Sequence, residues 1–109
     1  MNELQNRIID GMMSFIEGDD DADYSPDDVK ACGALLTSFA SKVQSGISYD
    51  DAMKQVEVLV LKLNELNENC EFSLIETDQR EDICEFIFQA LNAANVAFEG
   101  DVTEEWREW

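Results

Sequence analysis

The sequence predicts an all-α fold: an antiparallel four-helix bundle with a short C-terminal helical turn. Three observations carry that prediction. Apolar residues recur at three- and four-residue spacing in four separate segments, the period of one helix face. Helix-start signals stand ahead of three of them, at Ser25, at Ser48 and at Thr77 or Asp78. Hydrophobic residues make up 45% of the 109, enough for a core, whereas a disordered acidic chain lacks them. The length suits one helical domain over residues 1–109.

The first helix is expected over residues 3–17, where Leu4, Ile8, Met12, Phe15 and Ile16 share a face. Gly18 ends it, because glycine adopts the left-handed conformation of a helix end at little steric cost. Asp19, Asp20, Asp21 and Asp23 make the next connection a solvated acidic loop. Ser25, Pro26 and Asp28 start the second helix. The serine caps, the proline loses no hydrogen bond at the first position, and Asp28 completes a capping arrangement. Val29, Cys32, Leu36, Phe39 and Val43 form its stripe, and Gly46 is the expected stop. Ser48 caps the third helix, with Asp51 three residues on. A connection of about two residues would set helices two and three antiparallel.

The third helix is apolar over most of its circumference. Met53, Val56, Leu59, Val60, Leu63 and Leu66 form the expected stripe, while Val58 and Leu61 lie on the other side. Such a helix needs cover on two sides, as the central element of the fold or as part of a self-association surface. Residues 67–69 interrupt the pattern, and 72–75 alternate loosely enough for an extended crossover. Thr77 or Asp78 is expected to cap helix four, with Asp78 and Glu81 as a capping-box variant. Ile83, Ile87, Ala90, Leu91 and Ala94 face inward, and Phe86 and Phe88 widen that face. Gly100 is a breaker, after which Thr103, Glu104, Glu105 and Trp106 begin the closing turn.

Charge is the main functional clue. There are 25 acidic residues against 7 Lys+Arg and no His, for a net charge of -18. A surface that negative repels nucleic acid, anionic membranes and anionic substrates, and attracts basic partners. No stretch approaches the roughly 18–20 apolar residues of a membrane span. The opening residues show neither the basic cluster nor the apolar run of a signal peptide. Cys32, Cys70 and Cys84 are odd in number and lack CxxC spacing, which suits reduced thiols and a cytoplasmic location. Cys32 and Cys84 fall on apolar helix faces, as small buried hydrophobes.

Metal and catalytic chemistry have little to stand on. Asp19, Asp21 and Asp23 align with positions 1, 3 and 5 of a calcium-binding helix–loop–helix. The alignment then puts Tyr24 where glycine makes the turn and Lys30 where a bidentate carboxylate belongs. A solvated loop is the better reading, and no metal or cofactor is expected. Without His the usual general base near neutral pH is missing. The carboxylate pairs Asp27/Asp28, Asp50/Asp51 and Glu104/Glu105 stand at helix starts, where they complement the helix dipole. No phosphate loop or nucleophile motif occurs. Enzymatic activity is therefore not expected.

The tail holds both tryptophans, Trp106 and Trp109. Tryptophan is enriched at binding hot spots, and it also suits a tail folded back over the open end of a bundle. Residues 74–82 (LIETDQRED) and 102–109 (VTEEWREW) resemble the closing part of small uncharacterised bacterial proteins. That resemblance implies no activity. In kind, though with no motif matched, a small acidic helical domain is similar to the immunity proteins that neutralise bacterial nuclease toxins.

Two functional readings follow. In the first, the chain is an acidic binding protein that neutralises or docks onto a basic protein, such as a toxin or a nucleic-acid-binding protein. It would act as an immunity protein, antitoxin or nucleic-acid mimic, its carboxylates meeting Lys and Arg that otherwise contact phosphates. Asp19, Asp20, Asp21, Asp23, Asp27, Asp28, Trp106 and Trp109 are the expected contact residues, with no direct binding of nucleic acid or membrane. In the second, it is a structural or adaptor module that forms a homodimer through Val58, Leu61 and Phe88, its acidity serving solubility.

Overall fold

Four helices follow one another in the computed structural model, which describes residues 2–18 and 24–109. They are α1 (Asn2–Gly18), α2 (Pro26–Lys42), α3 (Tyr49–Asn69) and α4 (Thr77–Ala93). Together they form an all-helical four-helix bundle of 44 × 26 × 20 Å, with no strand among the described residues. α1 packs against α2 and α4, and α2 packs also against α3. The apolar stripes meet in one core that takes Ile8 and Met12 from α1, Val29 and Leu36 from α2, Val56, Val60 and Leu63 from α3, and Ile83, Phe86, Ile87 and Leu91 from α4.

The starts of α2 and α3 follow from their sequence. Ser25 Oγ accepts from the Asp28 N–H at 3.4 Å, and the Asp28 carboxylate accepts from the Ser25 N–H at 2.9 Å. Ser48 Oγ accepts from the Asp51 N–H at 3.1 Å. These bonds engage amides at the two helix starts, the Asp28 N–H donating also to the Ser25 carbonyl at 3.0 Å. Tyr24 anchors the chain ahead of α2: it is buried, its hydroxyl donates to the Met12 carbonyl at 3.1 Å, and its ring stacks on Phe15. Gln5 links α1 to α2 by donating to Thr37 Oγ1 at 2.9 Å.

Several boundaries differ from expectation. α2 ends at Lys42 with Val43 as its cap, so the connection to α3 spans 43–48 and is longer than the sequence suggested. Gly46 turns inside that connection at φ +97° instead of stopping the helix. Residues 67–69 continue α3, and 72–75 pass through a turn and a bend, not an extended crossover. α4 is capped by Glu76 without a side-chain hydrogen bond, and Thr77 and Asp78 already belong to the helix, so the expected capping box is absent there.

Asn67 explains the α3–α4 connection. Its carbonyl accepts from the Phe72 N–H at 2.8 Å and its side-chain Oδ1 from the Ile75 N–H at 2.9 Å. These bonds hold Glu71 and Phe72 in left-handed conformation at φ 56° and 59°, which costs non-glycine residues about 1–2 kcal/mol each. The return is burial of Leu74 and Ile75 in the core immediately afterwards.

Candidate functional site

Every carboxylate among the described residues lies at least partly at the surface; the buried polar residues are Asn64, Asn67 and Thr103. Among these residues two ion pairs form, Arg7 with Asp82 at 2.7 Å and Arg107 with Asp101 at 3.4 Å. The other carboxylates among the described residues form no ion pair with a Lys or Arg there. Of the expected contact residues, Asp19, Asp20, Asp21 and Asp23 lie outside the described residues. Asp27 is exposed in the first turn of α2, whereas Asp28 is engaged in capping.

The C-terminal segment is a second, more structured region. Trp106 and Trp109 are both half-buried against the core, so the tail folds back over the bundle. Asn64, on the inner face of α3, fastens it: Nδ2 donates to the Trp106 carbonyl at 2.7 Å and Oδ1 accepts from the Glu108 N–H at 3.0 Å. The Trp106 and Arg107 amides donate to the Thr103 carbonyl, closing the predicted helical turn. Thr103, fully buried, donates through its hydroxyl to Asp101, and Arg107 reaches from Asp101 to the Cys84 sulfur at 3.4 Å. The Arg107 guanidinium also stands over the Trp109 ring, 5.5 Å from its centroid. The tail thus covers α3 around Asn64, while Leu61 on the other side of that helix stays exposed.

Sequence reasoning missed Asn64 and Asn67. The signal was present: both are polar residues on a stripe otherwise occupied by Val56, Val60 and Leu63. A polar side chain on a buried face needs partners, and here the partners are backbone groups of the two segments that follow α3. Asn64→Ala is expected to cost about 2 kcal/mol, because two hydrogen bonds are lost together. It should also shift tryptophan emission to the red as Trp106 and Trp109 become wetter. Unchanged emission and stability would show that the tail is held by its apolar contacts alone.

The three residues assigned to self-association do not form one exposed patch of equal character. Leu61 is 46% exposed. Val58 is half-buried, and Phe88 is partly covered by Phe98, with ring centroids 5.4 Å apart. Cys32, Cys70 and Cys84 are free and buried. No group of three or more Cys, Asp or Glu among the described residues is placed to hold a metal ion. Among the described residues no helix is long and apolar enough to cross a membrane. No family model, curated protein or solved structure matches the chain.

Proposed function

We propose that this is an acidic binding protein that docks onto a basic protein and neutralises it, as an immunity protein, antitoxin or nucleic-acid mimic does. One observation supports this above others: the net charge of -18 goes with a folded scaffold on which, among the described residues, only two carboxylates pair with the chain's own cations. Like charge at that density opposes folding. A basic partner relieves that repulsion by supplying the missing counter-charges, and long-range attraction speeds its approach. The partner is a toxin or nucleic-acid-binding protein whose phosphate-contacting Lys and Arg meet the Asp19–Asp28 region and the tryptophan tail. The setting is the cytoplasm, where three buried thiols stay reduced.

The test starts from the protein recovered with this chain from its native host at low and then moderate salt. Binding kinetics compare wild type with the combined variant Asp20→Asn, Asp21→Asn, Asp23→Asn and Asp27→Asn. Association is expected to slow about tenfold at low salt, with a flatter salt dependence and little change in dissociation. Equal rates and equal salt slopes would remove the acidic cluster from the contact.

The second reading, self-association, is favoured by one observation, the exposed Leu61 on α3. A sedimentation profile that remains monomeric at micromolar concentration would set it aside.

A further inference from the structure

The start of α3 and the segment after α4 line an open surface hollow of about 360 Å³. Tyr49, Met53 and Trp106 give it apolar walls, and Glu99 and Glu105 line it with charge. Tyr49 is 56% exposed beside the capped start of α3. Glu99 and Glu105 are exposed and form no ion pair among the described residues. Asp101, which also lines the hollow, is already engaged by Thr103 and Arg107. The helix start contributes a partial positive charge of about half a unit. Asp50 and Asp51, directly after Tyr49, outweigh it.

The same tail shows what such a combination holds. Three residues beyond Trp106, the ring of Trp109 and the carboxylate of Asp101 together seat a guanidinium, that of Arg107. Around Trp106 the same components recur, aromatic faces beside carboxylates, yet among the described residues no Lys or Arg lines the hollow. We infer that this hollow receives an arginine side chain from an exposed segment of the basic partner. This rests on the docking reading above and names the chemistry of the contact. The methylene stem lies along Tyr49, Met53 and Trp106, as long cationic side chains do on apolar surface. The guanidinium meets Glu99 and Glu105. Arginine suits the hollow better than lysine because its planar, weakly hydrated head stacks on aromatic rings and offers several donors to two carboxylates. A second copy of this chain is a poor occupant, since each brings a net charge of -18.

The experiment titrates the full chain with blocked Gly-Arg-Gly-Arg-Gly peptide and follows the Trp106 indole and Tyr49 ring resonances. Lysine and citrulline counterparts of the peptide are the comparisons. The arginine peptide is expected to move both resonances and to bind about threefold more tightly than the lysine form, the citrulline form not binding. Tyr49→Ala, and separately Glu99→Gln with Glu105→Gln, should each weaken it about fivefold. Glu3→Gln with Asp10→Asn removes the same charge from α1 and should weaken it by less than about twofold, as screened distant charges do. All these positions are exposed, so the fold is retained in each variant. Equal losses for the two double variants would overturn the hollow as the site, and so would failure of the arginine peptide to bind wild type. The broader docking reading is decided separately, by the kinetics with the recovered partner.

Discussion

Phe86→Ala is expected to be among the most damaging single substitutions, at about 3–5 kcal/mol, the usual cost of removing a buried aromatic ring. Phe86 is fully buried on the inner face of α4, among the largest side chains of the core. Domains of this size are stable by only about 5–15 kcal/mol, so the loss is a large share of the whole. Here it falls on a body only 20–26 Å across its shorter axes. At about 0.01 M salt the Debye length, about 30 Å, exceeds that width and carboxylates on opposite faces repel, whereas at moderate salt it falls to about 8–10 Å and screens them. The variant is therefore expected to be partly unfolded at low ionic strength and to regain helix as NaCl is added. Leu61→Ala, at an exposed position of α3, is the comparison and should stay within about 0.5 kcal/mol of wild type. Urea unfolding followed by circular dichroism at two salt concentrations checks both. A Phe86→Ala loss below about 1 kcal/mol, or one that grows with salt, would contradict this account of the core.

Alkaline pH should destabilise the protein by a comparable amount. Burial pushes the Cys32 thiol up to about 12, with a smaller contribution from Cys70. Burial pushes Cys70 up to about 11, helped by the negative charge of Asp28 and a hydrogen bond to it. Tyr24 is raised to about 12, again chiefly by burial and then by the charge of Glu76. In the unfolded chain a thiol ionises near 8.5. Above that pH the unfolded state gives up protons that the folded state keeps, so the folded state binds more protons and stability falls as pH rises. The contribution is whole below about pH 8.5 and lost as the pH passes through 11 to 12. Each thiol costs about 1.4 kcal/mol per pH unit within that window, so the two together remove roughly 5 kcal/mol by pH 10.5. Cys32→Ala should lose only about half as much over the same range. A stability difference between wild type and Cys32→Ala that does not change with pH would show that Cys32 titrates freely in the folded protein.

The helices are legible in the sequence wherever the information is local. Ser25 with Asp28, and Ser48 with Asp51, cap their helices through contacts three residues apart, and the Val29–Cys32–Leu36–Phe39 stripe is buried as its spacing requires. The acidic surface is equally legible, because composition alone forces most of the charge outward. The α3–α4 connection is not. Its turns depend on Asn67 catching amides five and eight residues away, and three consecutive positions rich in Asn look like a helix stop until those partners are known.

By itself, then, the sequence determines four amphipathic helices and their helix-start caps at Ser25 and Ser48, since each depends on residues within a few turns of one another, and a predominantly acidic surface, which follows from composition. Tertiary structure decides which side of α3 the tail covers, that Asn64 fastens it, and that Tyr49 and Trp106 share one hollow across more than fifty residues of chain. Those arrangements rest on contacts between distant segments, and no local period encodes which two surfaces will meet.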